Sequence, residues 1–411
     1  MSWSVKKIAI VAIAATLFVS TLLAIGISEL IIRKLYPQNT YNIAKTGSVS
    51  VFKKSDLIPF ELKSNGQSHH IAPTHEFSND ITTNSLGYRG PEFPKEKPTD
   101  TMRILMLGDS TTFGIGSKDD QTFAVLLEQQ LKDQGKKVQV INAGFASGLS
   151  PDTYYLYLKE KGLKLQPDIV FINLFLGNDI TDLFENDWPK IDSQGLPLRV
   201  TSKEREIDSA GRLVFRQMDW KYRIPIIRNM HTGILTFNVI EQKSPKLEKI
   251  IRWLVGAPDL LEDIPQTEKD KCLYFNECSE RFEQQWQRLD RIFSGLYELA
   301  TTTSTQVIIT LMPAPFQLSA RPDREEADNK LSVTIPDGNE TNQNYPQKHL
   351  IEMLNQHKLQ YFDLLQALRE NLDPQISNDY VYKDDGHFTP KGNQAISEAY
   401  SKYLGNFFNS N

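Results

Sequence analysis

The chain has 411 residues with 46 Lys and Arg against 51 Asp and Glu, a formal net charge of −5. That balance excludes a strongly basic nucleic-acid binder, and 40% hydrophobic with 24% charged residues excludes a disordered or fibrous chain. Two cysteines, Cys272 and Cys278, are too few for a four-ligand zinc site and leave open a small disulfide loop, which an oxidising compartment permits and a cytosol does not.

Lys6 and Lys7 precede an uncharged run over residues 8–28, about the 20 residues that a bilayer-spanning helix needs. Bulky Leu22, Leu23, Ile25 and Ile27 continue almost to Glu29, unlike the short apolar stretch and small-residue site of a cleaved signal peptide. Residues 1–35 therefore read as a cytoplasmic stub and an uncleaved transmembrane signal anchor. Lys6, Lys7 and the amino group, set against Arg33 and Lys34, lean towards an inside N-terminus. The expectation is a single-pass membrane protein with its bulk on the extracytoplasmic side. Residues 36–101 read as a tether and an irregular lead-in, broken by Pro37, Pro59, Pro73, Pro91, Pro94 and Pro98. Within it His69, His70 and His75 read as a solvated loop, because nothing at helical or hairpin spacing completes a metal site.

From residue 102 short β-branched runs alternate with longer amphipathic segments, the pattern of βαβ units and a parallel sheet. Five strands are predicted, over 103–107, 138–142, 169–173, 306–311 and 361–364. The predicted helices are 121–134, 151–162 with Ser150 as N-cap and Pro151 at its first turn, 280–300, 347–357 and 390–403. Residues 182–270 interrupt the rhythm and read as an insertion, helical near 247–255.

In open α/β sheets the ligand crevice lies outside the carboxyl ends of the strands. There the chain places Gly108-Asp109-Ser110, then Asn142-Ala143-Gly144 and Gly148, then Gly177-Asn178-Asp179, and before its last helix Asp384-Asp385-Gly386-His387. A serine on a strand-to-helix turn presents its hydroxyl to the crevice but needs a base, and His387 is the histidine set beside carboxylates. Asp384, three residues earlier, is the carboxylate expected to hold the imidazole, with Asp385 pointing elsewhere. Oxyanion donors are expected from the Ser110 N–H, a glycine N–H after the second strand and the Asn178 amide. Of Gly144 and Gly148, the latter is favoured because it stands just before the Ser150 cap.

In these four blocks the chain resembles the SGNH hydrolases, the GDSL esterase/lipase family. The resemblance covers most of residues 84–404 and extends to Thr83-Asn84-Ser85-Leu86-Gly87-Tyr88-Arg89-Gly90, which looks like the lead-in of the membrane-anchored bacterial branch. Thr111 stands where the name-giving motif has leucine, and Leu176 where the third block begins with glycine. The resemblance implies a doubly wound five-stranded sheet with helices on both faces. It also implies Ser110 as nucleophile, His387 as base and Asp384 as orienting acid, with no metal and no organic cofactor.

An anchored domain outside the membrane would meet esters on envelope polysaccharides or lipids. Hydrolysis of such acyl esters is the leading expectation, and O-acyl transfer through the same acyl-enzyme is the alternative. A reading of a different class is a non-catalytic glycan-binding or assembly component that retains the fold.

Overall fold

The computed structural model describes residues 3–38, 40–42, 49–146, 149–203, 205–215, 219–257, 272–273, 278–318, 345–370 and 379–410. In chain order these give α1 (Trp3–Leu35), a hairpin of β1 (Gln67–Ile71) and β2 (Ser78–Thr82), β3 (Met102–Gly108), α2 (Ser110–Phe113), α3 (Phe123–Asp133), β4 (Val138–Gly144), α4 (Pro151–Glu160), β5 (Ile169–Phe175) and α5 (Asp179–Asp182). After the insertion helices α6 (His231–Lys243) and α7 (Pro245–Leu254) come α8 (Glu280–Thr302), β6 (Gln306–Met312), α9 (Tyr345–Gln356), β7 (Gln360–Asp363), α10 (Leu364–Arg369) and α11 (Pro390–Ser410). The chain divides into two compact units, one of Met1–Gly47 with Gln217–Asp263, the other of Ser48–Arg216 with Ile264–Asn411.

The larger unit is built on the expected five-stranded sheet, in the order β7-β6-β5-β3-β4 with every neighbouring pair parallel. Its strands are nearly continuous apolar runs because both faces are covered. Successive side chains alternate between two cores. Leu105, Leu107, Ile141, Val170, Ile172, Ile309 and Leu311 pack on one face with Tyr154, Leu158, Phe282, Leu289 and Leu296 of α4 and α8. Ile104, Met106, Val140, Ile169, Phe171 and Ile308 pack on the other with Phe123, Leu127, Leu131, Leu365, Ile396 and Tyr400 of α3, α10 and α11. The strand order reverses direction beside β3, so the loops after β3 and β5 open towards one crevice.

Residues 67–82 are a regular antiparallel hairpin where the sequence suggested an irregular lead-in. The insertion opens with two further hairpins, Asn186–Ile191 with Pro197–Ser202 and Arg205–Ile207 with Leu213–Phe215, before its helices. Cys272 and Cys278 are joined by a disulfide, and the indole of Trp286 donates to the Cys272 sulfur.

In the smaller unit α1 is the one helix among the described residues long and apolar enough to cross a membrane, over Lys7–Leu35, with none of its apolar window buried. By length and composition it is a candidate anchor or signal sequence. Its C-terminal end is laced to the insertion: Glu29 accepts hydrogen bonds from the main-chain N–H groups of His231 and Thr232 at 2.9 and 2.8 Å, and from the Thr232 hydroxyl.

Candidate active site

Ser110 is the first residue of the short helix α2, directly beyond the carboxyl end of β3. Asp109 caps this helix, its carboxylate accepting the Thr111 N–H at 2.9 Å, and Gly114 ends it in a left-handed conformation. The turn lies against β4 so closely that a Cβ on Gly144 would stand 2.2 Å from the Phe113 nitrogen. Only glycine fits, and this position serves the seating of the serine turn. The Gly144 N–H is already donated to the Asn142 side chain at 3.0 Å. Gly148, the favoured oxyanion glycine, lies outside the described residues.

The Ser110 hydroxyl stands 2.9 Å from His387 Nε2, and His387 Nδ1 stands 2.5 Å from Asp385 Oδ1. The carboxylate at the imidazole is thus that of Asp385, and the expectation for Asp384 is corrected. The reason is the turn. Gly386, at φ +86°, reverses the chain, its N–H donates to the Tyr382 carbonyl, and the Tyr382 N–H donates to the His387 carbonyl. Asp385 then folds its side chain forward onto residue i+2, accepting the main-chain N–H of His387 at 3.3 Å as well as the ring. Asp384 faces solvent and contributes its main-chain N–H to Glu76, 3.1 Å from each carboxylate oxygen.

Glu76 is a residue that the sequence reading missed. At the tip of the β1–β2 hairpin it accepts the main-chain N–H groups of both Asp384 and Asp385, the latter at 2.8 Å, and is itself bonded by the Thr74 hydroxyl. Phe77 beside it packs on Tyr382, with ring centroids 4.8 Å apart, and the Tyr382 hydroxyl donates to the Gly116 carbonyl. The hairpin thereby ties the histidine turn to the loop after Ser110. Arg89, named in the lead-in block but given no role there, is 2% exposed and holds the end of the serine turn by donating to the carbonyls of Phe113, Gly114 and Ser117.

The electrostatics follow from these contacts. Burial raises the Asp385 carboxyl, but the hydrogen bond and charge of His387 outweigh it, so Asp385 titrates below the usual carboxylate range. Asp109 and Asp179 are fully buried beneath the site. Burial pushes both upward, Asp179 well above its usual value with the Asp109 charge adding to the effect. Asp179 accepts the Phe175 N–H at 2.9 Å and the Tyr154 hydroxyl at 3.1 Å. The Asn178 amide nitrogen donates to Asp182 at 2.9 Å, and its buried carbonyl oxygen has no hydrogen-bond partner among the described residues. The Ser110 N–H, as the first of its helix, has no acceptor within that helix.

His70, on β1, is pulled into this environment instead of lying in a solvated loop. Its ring packs against Phe77 at 5.4 Å, and its Nδ1 is buried without a hydrogen-bond partner among the described residues. Burial lowers its pKa from 6.5 to about 4, only partly opposed by the Asp385 charge. An imidazole with a depressed folded-state pKa leaves stability intact above the unfolded value and loses it as the pH falls, because the unfolded chain takes the proton first. Between about pH 6.5 and 4 the wild type should lose stability with a limiting slope of about 1.4 kcal/mol per pH unit from this group. His70→Gln should flatten that limb in denaturant titrations at successive pH values. An unchanged limb would mean that the ring takes its proton in the folded state too.

Comparison with known proteins gives neither a family profile nor a curated protein that matches the chain. Solved structures do match. A lipase/acylhydrolase from Enterococcus faecalis is similar at 15% identity over 74% of this chain and 95% of that one, with a TM-score of 0.35. A putative lipolytic protein of the G-D-S-L family from Desulfitobacterium hafniense is similar at 12% identity over 74% and 99%, with a TM-score of 0.34. An acetyl xylan esterase is similar at 11% identity over 74% and 100%, with a TM-score of 0.38. At these identities and scores the likeness by itself assigns neither reaction nor substrate.

Proposed function

We propose that this chain is a membrane-anchored serine esterase of the SGNH type that cleaves acyl esters by way of an acyl-enzyme. The observation that carries the reading is the continuous relay from Ser110 Oγ through the His387 ring to Asp385, with contacts of 2.9 and 2.5 Å. A binding module has no use for a hydroxyl aligned on a base that is itself aligned on a carboxylate.

In this mechanism His387 Nε2 takes the Ser110 proton as the oxygen attacks the ester carbonyl carbon. The Asp385 charge stabilises the imidazolium through Nδ1. The tetrahedral oxyanion is met by the Ser110 N–H, with the Asn178 amide as a second donor once it is released from Asp182. His387 then protonates the departing alkoxide, leaving an ester on Ser110. Water, deprotonated by the same imidazole, releases the carboxylic acid and restores the hydroxyl. A sugar hydroxyl in place of water would make the reaction an O-acyl transfer.

The apolar α1 and the Cys272–Cys278 disulfide support an extracytoplasmic domain tethered by a single span, because structural disulfides persist in oxidising compartments. Acyl esters of envelope polysaccharides or lipids are then the substrates within reach. The test uses the full-length protein in detergent with a fluorophosphonate probe and p-nitrophenyl esters. Turnover and a covalent adduct mapped to Ser110 are expected, with the adduct absent in Ser110→Ala. A folded protein that neither turns over nor takes the probe would overturn this reading in favour of the binding module.

A further inference from the structure

We infer that α7 is a membrane-docking helix, lying in the interface of the bilayer that α1 crosses. The inference rests on reading α1 as an anchor and adds a second contact with the same membrane.

The helix is inside out. Glu248 and Arg252, one turn apart, form an ion pair at 2.7 Å with their side chains only 16% and 15% exposed. The Arg252 guanidinium also lies over the ring of Trp220, the buried centre of this unit, at 5.8 Å. The apolar residues take the opposite side. Leu247, Ile250, Trp253 and Leu254 are 45%, 54%, 78% and 67% exposed, and Ile226 nearby in the chain is 81% exposed. These four follow one another at helical spacing, so they form a single stripe. Water gives no reason to expose a tryptophan, a leucine and an isoleucine on one face while the charged pair is covered. A clustered apolar stripe of this kind marks an interaction surface.

Its position names the partner. Residues 8–28 rise about 32 Å at about 1.5 Å per residue, close to the roughly 30 Å of a bilayer hydrocarbon core. Glu29, the next residue, therefore stands at the boundary between hydrocarbon and headgroups. It is Glu29 that binds the N-terminus of α6 through His231 and Thr232. Gln38 continues the junction, its N–H donating to His231 Nδ1 at 2.8 Å and its side chain accepting from Asn238 at 3.2 Å. Tyr41 donates its N–H to the Arg228 carbonyl and lies beneath that guanidinium. A segment about 200 residues away in sequence is thus fastened at the membrane boundary, and α7 follows α6 directly. Exposed Lys249 borders the stripe and exposed Lys246 stands at its N-terminal end, as suits anionic headgroups, and tryptophan favours the interfacial layer.

The test places single cysteines in the full chain by Leu17→Cys, Ile250→Cys and Trp253→Cys, each labelled with an environment-sensitive fluorophore in vesicles of phosphatidylcholine and phosphatidylglycerol. The native cysteines are engaged in their disulfide and do not react without reductant. The Leu17 site should be quenched most by nitroxides deep in the acyl chains. The Ile250 and Trp253 sites should be quenched several-fold more by shallow nitroxide lipids than by aqueous iodide. The Ile250 variant retains Trp253, so the result does not hang on losing the indole. Quenching at Leu17 with the other two sites open to iodide would leave the anchor standing and overturn the docking. A Leu17 site unquenched by lipid would remove the anchor, and the docking with it.

Discussion

Asp385→Asn is expected to lower kcat for p-nitrophenyl esters by about ten-thousand-fold, as does loss of the charge behind a catalytic imidazole elsewhere, whereas Asp384→Asn should leave kcat within a few-fold of wild type. The pair discriminates sharply because the two residues are neighbours of identical chemistry and differ only in direction. Asp385 accepts from both the ring and the main chain of His387, while Asp384 offers the site only its main-chain N–H. In the wild type one oxygen, Oδ1, accepts both the His387 N–H and the ring, so an asparagine that turns its amide to Nδ1 gives up the weaker 3.3 Å main-chain bond together with the charge. Its amide then donates towards Nδ1, which fixes the imidazole in the tautomer that cannot accept the Ser110 proton. KM should change little, since neither side chain is required to bind an ester. Greater sensitivity at Asp384 would mean that the turn rearranges when substrate enters. The depressed pKa of Asp385 has a further consequence: the carboxylate stays ionised through mildly acid solution, so it adds no titration of its own there.

The confusion between these two aspartates shows where a sequence stops informing. Strands β3, β4, β5 and β6 are legible because a sheet covered on both faces needs unbroken apolar runs, and Ser110 and His387 are legible because they stand at boundaries between such runs and helices. Which of two adjacent carboxylates reaches a ring is set by the left-handed Gly386 and by the two N–H bonds that Glu76 receives, none of which has a periodic signature. The hairpin that carries Glu76 is hidden for a related reason. Its first strand, Gln67–Ile71, is polar and partly exposed on both sides, so no alternation marks it. Its order comes from contacts far along the chain, with Asp119 accepting from the Thr82 N–H and hydroxyl and the Tyr382 turn lying against Phe77. The direction of the α7 stripe is likewise not in its periodicity, which fits a core as well as a surface; the exposure of Leu247, Ile250, Trp253 and Leu254 and the largely covered Glu248–Arg252 pair set it.

Arg89→Met should destabilise the larger unit by about 3–5 kcal/mol, because it leaves the buried carbonyls of Phe113, Gly114 and Ser117 without their donor, at about 1–3 kcal/mol for each unsatisfied group. That is a large share of the roughly 5–15 kcal/mol that holds a domain folded. The guanidinium is fully desolvated and saturates its surroundings. Its Nε meets Asp119 at 2.8 Å, while its two terminal nitrogens donate to three carbonyls at 3.0, 2.7 and 2.6 Å. Methionine fills much of the same volume beside the Phe113 ring, over which the guanidinium now lies at 4.7 Å. The loss therefore reports the unpaired acceptors in place of a cavity. Burial lowers the Arg89 pKa, opposed by the Asp119 charge, and a guanidinium keeps its proton regardless, so the gap between wild type and variant should not change with pH near neutrality. Arg89→Lys should recover only part of the stability, because an ammonium on a single stem cannot reach three carbonyls and a carboxylate together. Denaturant midpoints with Ser110 reactivity measured in parallel would test both changes. The carbonyls that Arg89 grips end the turn that begins at Ser110, so a variant still folded at low temperature should also label more slowly with a fluorophosphonate. A shift below about 1 kcal/mol would mean that water replaces the guanidinium at those carbonyls, and that the serine turn is held by Gly144 and the Asp109 cap alone.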